Sequence, residues 1–489
     1  NMHKSPMSLM HDYALPPWYT RDMARLKKRV RWYQKHDPLV VPHLRSLYNR
    51  ITRRAKRSYE RFRAKRIEEA ISGGDSHVLR SFRPQPKTFV SPIAADTWGM
   101  HLVHHFKGRS LPNFEFPPSQ PQQPLSPSFP QCPPFHVLLA CVTKHLRRLN
   151  PSSSPGFFDP PPPFLKISAP SSFPPHHLTF ILAPVLSSLV QACLSHADIP
   201  PSWKITKLVP IFKKGQLWNP ASYRLIAINS SIYRLFASVI CDLLMKWALE
   251  NSVLPHTQFG FVPGRSTLDP VFLFLHCLAK ARSDCRLGSL ILVLVDFQAA
   301  YDSVDREKLW SHLASLDVPP FLLNTLIALY RDDFYVLYDG CLSPPVSPGL
   351  GLRQGCPLSP LLFALFISDL HSIFNPQDGA RSTNDQILIT DAEYADDLGL
   401  ASNSIRGMQN LLYALEEYVE LKSLMVNVGK TKVIVLGRSI VNCSLKYKNF
   451  PLEFVDSVRY LGFPFARNGS YRSIGSEMHC LFTGGLARV

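Results

Sequence analysis

An unbroken hydrophobic run covers residues 290–295 and ends at an acidic residue, Asp296. A run of this length, without the alternation of a half-exposed strand, predicts a β-strand whose two faces are both buried. Asp296 then lies at the carboxyl end of that strand, where a ligand can reach its side chain. The run therefore predicts both a core element and a candidate site residue.

Two other segments repeat their hydrophobic residues at the spacing of an α-helix. The first predicts a helix packed against a sheet. Its repeating residues are Met408, Leu411, Leu412, Leu415, Tyr418 and Val419. In the second segment, Leu309, Leu313 and Leu316 fall at helical spacing. Asp302 and Asp305 precede them, and we interpret both as caps of this second helix.

Proline-rich stretches interrupt these patterns. Residues 111–134 are rich in Pro, Ser and Gln, and residues 160–163 are a run of proline. Such composition predicts extended linker that does not pack against a core. The chain has 489 residues, a length that favours about three domains and allows a sizeable core.

Two adjacent carboxylates, Asp396 and Asp397, follow Tyr394 and Ala395 in a predicted tight turn. Neighbouring charges of this kind repel each other and lose hydration, so they are unfavourable unless cations hold them. Together with Asp296 they can hold two divalent ions, as in the palm of a nucleotidyl-transferring polymerase. Each feature alone has a simpler interpretation, a solvated turn for the pair and a helix N-cap for Asp296.

An ordered series of short motifs between residues 154 and 462 is more specific than any one of them. In chain order, the motifs are SPG at 154–156 with Asp159, IPPSWK at 199–204, VPIFKKG at 209–215, YR at 223–224, QFGF at 258–261, RSTLD at 265–269, residues 296–302, GLRQG at 351–355 with LSP at 358–360, YADD at 394–397, Asn427 with Lys430 and Thr431, and YLG at 460–462. This series resembles the reverse transcriptases of non-LTR (LINE-type) retrotransposons.

The resemblance implies an α+β fold, the fingers and palm of a right-hand polymerase. An antiparallel palm sheet would be packed on helices, with a basic helical linker before it. The expected segments are a basic helical linker (1–70), a Pro-rich linker region (71–150), the fingers and palm (151–465, core 192–465) and a truncated start of the thumb (466–489). The chain would then be a partial product of a longer open reading frame, or a decayed copy.

The resemblance also implies a catalytic centre. Asp296, Asp396 and Asp397 would be the carboxylate ligands of two Mg²⁺ ions, with Mn²⁺ as a substitute. The main-chain carbonyl of Phe297 would complete the oxygen ligands that Mg²⁺ prefers. Lys430 matches the position proposed in polymerases to protonate the leaving pyrophosphate, and a simple surface lysine is the alternative there.

Three cations correspond to those that the fingers of the family present to the triphosphate. They are Lys213, Lys214 and Arg224. Arginine suits phosphate because its planar fork binds two oxygens at once. Without the other motifs, Lys213 and Lys214 would be interpreted as an exposed basic turn before Gly215.

Further substrate residues follow from the resemblance. Tyr301 matches the aromatic residue that excludes a ribose 2′-hydroxyl and so selects deoxynucleotides, although it can equally be a core residue. Gln354 and Gly355 match a strand-to-helix turn that faces the incoming nucleotide and the template. Pro360 suits the first turn of the next helix, predicted over residues 361–370, because the missing N–H of proline costs nothing there.

Three positions depart from the family pattern. Ala299 stands where the family usually has lysine, and Leu225 and Ala227 replace the expected proline and serine. These changes leave the metal ligands intact but favour an alternative function, a catalytically inactive remnant of the element that retains only RNA binding. Group II intron maturases are a more distant alternative family.

The charge of the chain fits a polyanionic partner. Its formal net charge is +18, and each phosphate that is neutralised releases counterions. Residues 21–66 hold 17 Lys and Arg against 3 Asp and Glu, interleaved with aromatic residues. This segment predicts RNA contact, with a solvated basic helix or a nuclear-localisation cluster as alternatives. The resemblance implies an RNA template, a DNA primer or target DNA, deoxynucleoside triphosphates, and action in the nucleus after cytoplasmic assembly on element RNA.

Other residue patterns exclude some classes of site. The ten cysteines are scattered without a CxxC pair, so they indicate neither a zinc knuckle nor a disulfide framework and fit a reducing compartment. His101, His104 and His105 have no partner at ligand spacing, and we interpret them as a helix face. Neither an 18-residue apolar run nor a signal peptide occurs, so we expect no membrane partner and no secretion.

Overall fold

The structure is a computed structural model that describes residues 21–36, 41–72, 93–107, 109–110, 132–150, 162–167, 180–284, 288–331, 334–339, 341–343, 345–383, 387–437 and 444–467. Two compact units make up the chain, Asn1–Thr88 and Phe89–Val489. The motif with Asp159, the proline at 160 and most of the Pro-rich stretch lie outside the described residues.

The first unit contains two helices, α1 (Arg21–His36) and α2 (Val41–Ser72). They contact each other, and Met23, Val30 and Val41 are buried. The basic side chains whose exposure is described on α1, at Arg25, Lys27, Lys28 and Arg29, are exposed. The basic segment is therefore helical over these ranges and presents positive charge to solvent.

The second unit mixes helices and strands. Its described helices are α3 (Ala95–His105), α4 (Phe135–Arg148), α5 (Pro162–Leu165), α6 (Ala183–His196), α7 (Ser231–Glu250), α8 (Leu268–Ser283), α9 (Arg306–Ser315), α10 (Pro320–Tyr330), α11 (Ser359–Phe366) and α12 (Ile405–Leu421). Short 3-10 helices cover Pro201–Trp203, Pro220–Ser222, Leu370–Ile373 and Pro376–Asp378. Among the described residues, no helix is both long and apolar enough to cross a membrane.

The strands of the second unit form two main sheets and three short hairpins. They are β1 (Arg109–Ser110), β2 (Ile205–Phe212), β3 (Tyr223–Ile228), β4 (Ser289–Asp296), β5 (Phe334–Asp339), β6 (Cys341–Leu342), β7 (Val346–Ser347), β8 (Ala380–Arg381), β9 (Leu388–Ile389), β10 (Asp391–Tyr394), β11 (Asp397–Ser402), β12 (Lys432–Gly437), β13 (Lys446–Tyr447), β14 (Phe450–Pro451), β15 (Glu453–Phe454), β16 (Ser457–Tyr460) and β17 (Phe463–Ala466). The α+β class predicted from the sequence is confirmed.

The central sheet has five strands in the order β10-β11-β4-β12-β15. Strand β4 pairs antiparallel with both of its neighbours. Successive side chains of β4 enter two separate hydrophobic cores, since Leu290 and Leu292 pack with α8 whereas Ile291 and Val293 pack on the side of α12. The prediction of a strand buried on both faces is therefore confirmed, and this burial fixes the position of Asp296.

A second sheet has six strands in the order β1-β7-β5-β2-β3, with β6 paired to β5. Strands β2 and β3 form an antiparallel hairpin in which Ile211 is opposite Arg224. The turn of this hairpin includes Gly215, whose φ of +107° lies in the region that favours glycine. Trp98, Leu102 and Phe106 are packed against this sheet.

The helical predictions are largely confirmed. All six hydrophobic residues predicted for α12 are buried. Asp305 is the N-cap of α9, where its carboxylate accepts from the backbone N–H groups of Glu307 and Lys308. Pro360 lies in the first turn of α11 as predicted.

Two expectations about helix ends were wrong. Helix α11 ends at Phe366 rather than at residue 370, and a separate 3-10 turn follows. Asp302 is not a helix cap, because its carboxylate is bound by side chains from other segments.

The linker interpretation also fails for parts of residues 71–150 and 160–163. Helices α3 and α4 pack Trp98, Leu138 and Val142 into hydrophobic cores. Pro162 begins α5, and Leu165 at its end is buried. The proline-rich composition predicted linker for the whole region, but short hydrophobic helices lie between the proline-rich stretches.

Candidate active site

The turn between β10 and β11 carries the adjacent carboxylates. Tyr394 and Asp397 are paired across the hairpin, so only Ala395 and Asp396 connect the two strands. The φ of Ala395 is +57°, in the left-handed region that two-residue hairpin turns require. This tight turn holds Asp396 at the end of the hairpin.

The register of the central sheet brings the third carboxylate beside this turn. Asp397 is the direct partner of Asp296 on β4. Residues opposite each other on antiparallel strands have Cα atoms about 4.5–5.5 Å apart. Asp296 therefore forms one acidic cluster with Asp396 and Asp397, although it lies a hundred residues before them in the sequence. We call this cluster the carboxylate triad.

Two members of the triad, Asp396 and Asp397, have a raised pKa. Burial raises the pKa of Asp396, and the negative charge of Asp296 raises it further. Burial, followed by repulsion from Asp396 and Asp296, raises the pKa of Asp397 to about 6. A cation bound between these groups would relieve both effects.

The donor set fits a hard divalent cation, since carboxylate oxygens are the ligands that Mg²⁺ prefers. The side chains of the described residues nevertheless contain no group of three His, Cys, Asp or Glu arranged to hold a metal ion. The donor chemistry of the triad fits a metal ion, and a lysine contacts the carboxylate of Asp296.

That lysine is Lys430, whose Nζ lies 3.2 Å from Oδ2 of Asp296. The turn that precedes β12 positions it: the backbone N–H of Lys430 donates to Oδ1 of Asn427, and the N–H of Asn427 donates to the carbonyl of Asp296. Thr431 closes the same turn by accepting from the N–H of Asp296. Lys430, which the resemblance implies as a catalytic residue, thus lies beside the carboxylate triad.

Tyr301 interacts electrostatically with Asp396 and Asp397 of the triad. Its ring is 5.2 Å from that of Phe363 on α11, and it is partly buried. Burial, together with the charges of Asp396 and Asp397, raises the pKa of its hydroxyl. Tyr301 therefore both packs against the core and faces the carboxylates, so the two interpretations made from the sequence are compatible.

Phe297 follows Asp296 and is itself buried. It forms an isolated antiparallel bridge with Val426, and the N–H of Gln298 donates to the carbonyl of Met425. The backbone around Phe297 is therefore fixed beside the triad, as a main-chain ligand there would require.

Gln354 and Gly355 lie in the loop before α11. Nε2 of Gln354 donates to Oδ2 of Asp302 over 2.7 Å, and the main-chain carbonyl of Gln354 accepts from the N–H of Ala227. Gly355 has a φ of +92°, which favours glycine. Because Asp302 directly follows Tyr301, this loop is tied to the backbone beside the triad.

Lys213, Lys214 and Arg224 lie elsewhere, on the exposed end of the β2–β3 hairpin. They belong to the six-stranded sheet, whereas the triad belongs to the central sheet. Within the part of the chain that the structure describes, no hydrogen bond or ion pair joins the two groups. Their proximity to a bound triphosphate remains a prediction.

The comparison with known families agrees with this geometry. The family model described as "Reverse transcriptase (RNA-dependent DNA polymerase)" matches residues 211–465, which is more than half of the chain. The chain belongs to the reverse transcriptase family.

Several relatives of the chain come from mobile elements. The "Probable RNA-directed DNA polymerase from transposon BS" of Drosophila melanogaster is 29% identical over 57% of this chain and 31% of that protein. The "Transposon TX1 uncharacterized 149 kDa protein" of Xenopus laevis is 27% identical over 58% of this chain and 21% of that protein. The "RNA-directed DNA polymerase from mobile element jockey" of Drosophila funebris is 21% identical over 96% of this chain and 52% of its own length.

The chain thus spans about a fifth to a half of the length of these relatives. Among solved structures, it is similar to the "apo telomerase from Candida Tropicalis truncated from C-terminal domain", with 12% identity and a TM-score of 0.37 over 52% of this chain and 54% of that one.

The buried residue Gln258 has a role that the sequence did not reveal. The side chain of Gln258 is fully buried, and its Oε1 accepts from the N–H groups of Gly260 and Ala395. A Cβ atom at Gly260 would stand 2.3 Å from the nitrogen of Ala395, so only glycine allows this close approach. The QFGF motif was recognised, but its contact with the turn was not, because the two segments are far apart in sequence.

Proposed function

We propose that this chain is an RNA-directed DNA polymerase that adds deoxynucleotides to the 3′-hydroxyl of a primer on an RNA template. The observation that carries the proposal is the pairing of Asp296 with Asp397, beside Asp396 in a tight turn. The family match and the RNA-directed DNA polymerases named among the relatives support it.

We assign the two main sheets and the first two helices to parts of a right-hand polymerase. The central sheet, covered by α8 on one face and α12 on the other, corresponds to the palm of a right-hand polymerase. The six-stranded sheet with the β2–β3 hairpin corresponds to the fingers, and α1 and α2 to the basic linker before them.

Asp296, Asp396 and Asp397 would hold two Mg²⁺ ions, with the carbonyl of Phe297 as a further oxygen ligand. When bound, Mg²⁺ lowers the pKa of the attacking hydroxyl and neutralises charge on the leaving pyrophosphate. The raised pKa of Asp396 and Asp397 supports this assignment, since a bound cation would offset its causes, which are burial and then repulsion from the neighbouring carboxylates.

The remaining site residues act on the nucleotide itself. Nζ of Lys430 lies 3.2 Å from Oδ2 of Asp296, from where Lys430 would protonate the leaving pyrophosphate when the ion pair opens. Tyr301 presents a fixed ring next to the triad, which would collide with a ribose 2′-hydroxyl. Lys213, Lys214 and Arg224 would bind the triphosphate oxygens by charge and hydrogen bonds.

The partners in the proposal are an RNA template, a DNA primer or target DNA, and deoxynucleoside triphosphates. The net charge of +18 supports a polyanionic partner. The exposed basic side chains of α1 support RNA contact by the first unit. On this proposal the chain would act in the nucleus.

Primer extension tests the proposal directly. The full chain is incubated with poly(rA)/oligo(dT), Mg²⁺ and dTTP, next to Asp296→Asn, Asp396→Asn and a control, Asp456→Asn, at an exposed carboxylate. We expect extension by the wild type and the control, and none by the two triad variants. RNA binding should be nearly equal in all four, since it depends mainly on Lys and Arg.

Two results would contradict the proposal. A wild-type chain that binds RNA but extends no primer with Mg²⁺ or Mn²⁺ would overturn the polymerase function. Undiminished extension by Asp296→Asn or Asp396→Asn would place the catalytic metal site elsewhere.

A further inference from the structure

Helix α3 lies outside the residues that match the family model, yet its end contacts the loop that leads to Gln354. The backbone N–H groups of Gly349 and Leu350 both donate to the carbonyl of Phe106, over 2.9 and 3.1 Å. A Cβ atom at Gly349 would stand 2.6 Å from the carbonyl oxygen of Lys107. The two backbones are therefore in close contact just before the segment that carries Gln354.

Helix α3 is itself firmly anchored. Trp98, Leu102 and Phe106 are at most 3% exposed and pack with Tyr335 and Val346 of the six-stranded sheet. The last residue of α3, His105, is consequently held at a fixed place relative to the loop.

His105 reaches the same carboxylate as Gln354. Its Nε2 lies 3.1 Å from Oδ2 of Asp302, and Nε2 of Gln354 donates to that same oxygen over 2.7 Å. The Asp302 side chain is only 13% exposed. Two donors from segments far apart in sequence therefore share one poorly hydrated carboxylate, which we call the Asp302 hub.

The backbone around the hub is also fixed. The N–H of Leu352 donates to the carbonyl of Tyr301 over 2.7 Å, and the N–H of Gly351 donates to the carbonyl of Val304 over 2.8 Å. The loop that carries Gln354 thus runs along the residues that follow the β4 strand. A displaced Asp302 would disturb both the loop and the neighbouring Tyr301.

The Asp302 hub determines which end of the Gln354 side-chain amide is held by the carboxylate and which end is left for a nucleotide. An ionised carboxylate only accepts hydrogen bonds, so it holds the Nε2 end of the amide and leaves Oε1 turned away from it. If Asp302 lost the His105 contact, the carboxylate could rotate and the amide would lose its fixed orientation. His101, whose ring stacks on that of His105 at 5.6 Å, helps to keep the imidazole in place.

We propose that His105 is a positioning residue of the nucleotide site: through Asp302 it orients Gln354 toward the incoming nucleotide. The proposal rests on the function proposed above, and on the match of Gln354 to the turn of the family that faces the incoming nucleotide and the template. It extends the site to a helix that lies before the family match, at residues 95–105.

The test compares His105→Ala with His104→Ala, a control at an exposed histidine of the same helix. The affinity for a fluorescent dTTP analogue and the KM and kcat of primer extension are measured for each. We expect His105→Ala to weaken nucleotide binding and raise KM about three- to tenfold, the range expected for losing one typical intramolecular hydrogen bond. kcat should change much less, and His104→Ala should match the wild type.

A conservative variant and a double mutant distinguish positioning from a loss of structure. His105→Gln can still donate an N–H to Asp302, so it should recover part of the affinity. His105→Ala should have little further effect when combined with Gln354→Ala, because both changes would act through the same amide. Thermal unfolding of each variant checks that the helix is intact.

The possible outcomes separate the two proposals. Unchanged nucleotide affinity in His105→Ala, or full additivity with Gln354→Ala, overturns the role of His105. A wild-type chain that binds the analogue but extends no primer overturns the polymerase function, while the affinities still test His105. A chain that neither binds nor extends overturns both.

Discussion

The side-chain amide of Gln258 donates from Nε2 to Oε2 of Glu393 over 2.9 Å, and both residues are almost completely buried. The backbones of the two segments also pair, since the N–H of Phe259 donates to the carbonyl of Glu393 and the N–H of Glu393 donates to that of Thr257. This short parallel bridge lies along the outer edge of β10. It supports the strand that leads directly into the turn with Asp396.

Replacing Gln258 with leucine should destabilise the turn. The N–H groups of Gly260 and Ala395 would lose their common acceptor, and a buried N–H without a partner costs about 1–3 kcal/mol. We expect the free energy of unfolding to fall by about 2–4 kcal/mol and primer extension to fall more than tenfold. Urea denaturation and extension assays measure the two effects. Gln377→Leu, at an exposed glutamine, is the control, and equal stability of both variants would refute the role of Gln258.

The buried Glu393 should make stability depend on pH. Burial raises the pKa of Glu393 well above its ordinary value of 4.5, and the charge of Asp391 raises it further. Between these two pKa values the unfolded chain loses a proton that the folded chain keeps, so the free energy of unfolding falls as pH rises. Gln at position 393 has no such proton.

We therefore expect Glu393→Gln to be more stable than the wild type, by an amount that grows from pH 5 to pH 8. Thermal melts of both proteins at several pH values measure this difference. Glu417→Gln, at an exposed position on α12, should differ from the wild type by a constant amount. A difference for Glu393→Gln that does not change with pH would show that Glu393 is ionised in the folded protein.

Tyr301→Val should relax sugar selection. The smaller side chain removes the ring beside the triad, so ribonucleotides should be incorporated more readily relative to deoxynucleotides. The measurement is the ratio of kcat/KM for rUTP and dTTP on poly(rA)/oligo(dT). Tyr413→Val, at a tyrosine that is 54% exposed, should leave the ratio unchanged. If the ratio is also unchanged in Tyr301→Val, the tyrosine is only a core residue.

Deleting residues 1–72, which removes α1 and α2, should weaken RNA binding and reduce its salt dependence. Each lost phosphate contact lowers the slope of log affinity against log salt by about 0.7 to 0.9. The exposed Trp32 would add about 1–3 kcal/mol by stacking on a base of single-stranded RNA. Binding from 50 to 300 mM salt, full chain against deletion, measures the slopes. Equal slopes would mean that the basic segment is a solvated face or an import signal.

Local patterns in the sequence predicted the elements that depend on neighbours along the chain. The strand before Asp296, the buried face of α12 and the cap at Asp305 follow from hydrophobic spacing and from backbone N–H groups within one helical turn. The acidic cluster was also predicted, because the ordered motifs resemble a family in which Asp296 and the Asp396–Asp397 pair would form one site. The spacing of these residues along the chain does not by itself show that they meet.

Contacts between distant segments were not predictable in this way. Asp302 was interpreted as a cap because it precedes a helix, but its partner His105 is 197 residues away. The interpretation of His101, His104 and His105 as a helix face is confirmed by α3, but the burial of Trp98 and Leu102 was not predicted, because the region was assigned as linker from its proline content. In both cases, tertiary packing determines the role of a residue whose local sequence suggests another.

The double-sided burial of β4 has a consequence for how the protein tolerates change. Inserting or deleting one residue within this strand would exchange the side chains that enter the two cores, since successive residues alternate between them. The same shift would turn Asp296 away from Asp397. Insertions or deletions in β4 should therefore abolish folding and the acidic site together. The fold should tolerate the same insertions or deletions in an exposed turn, such as that of the β2–β3 hairpin.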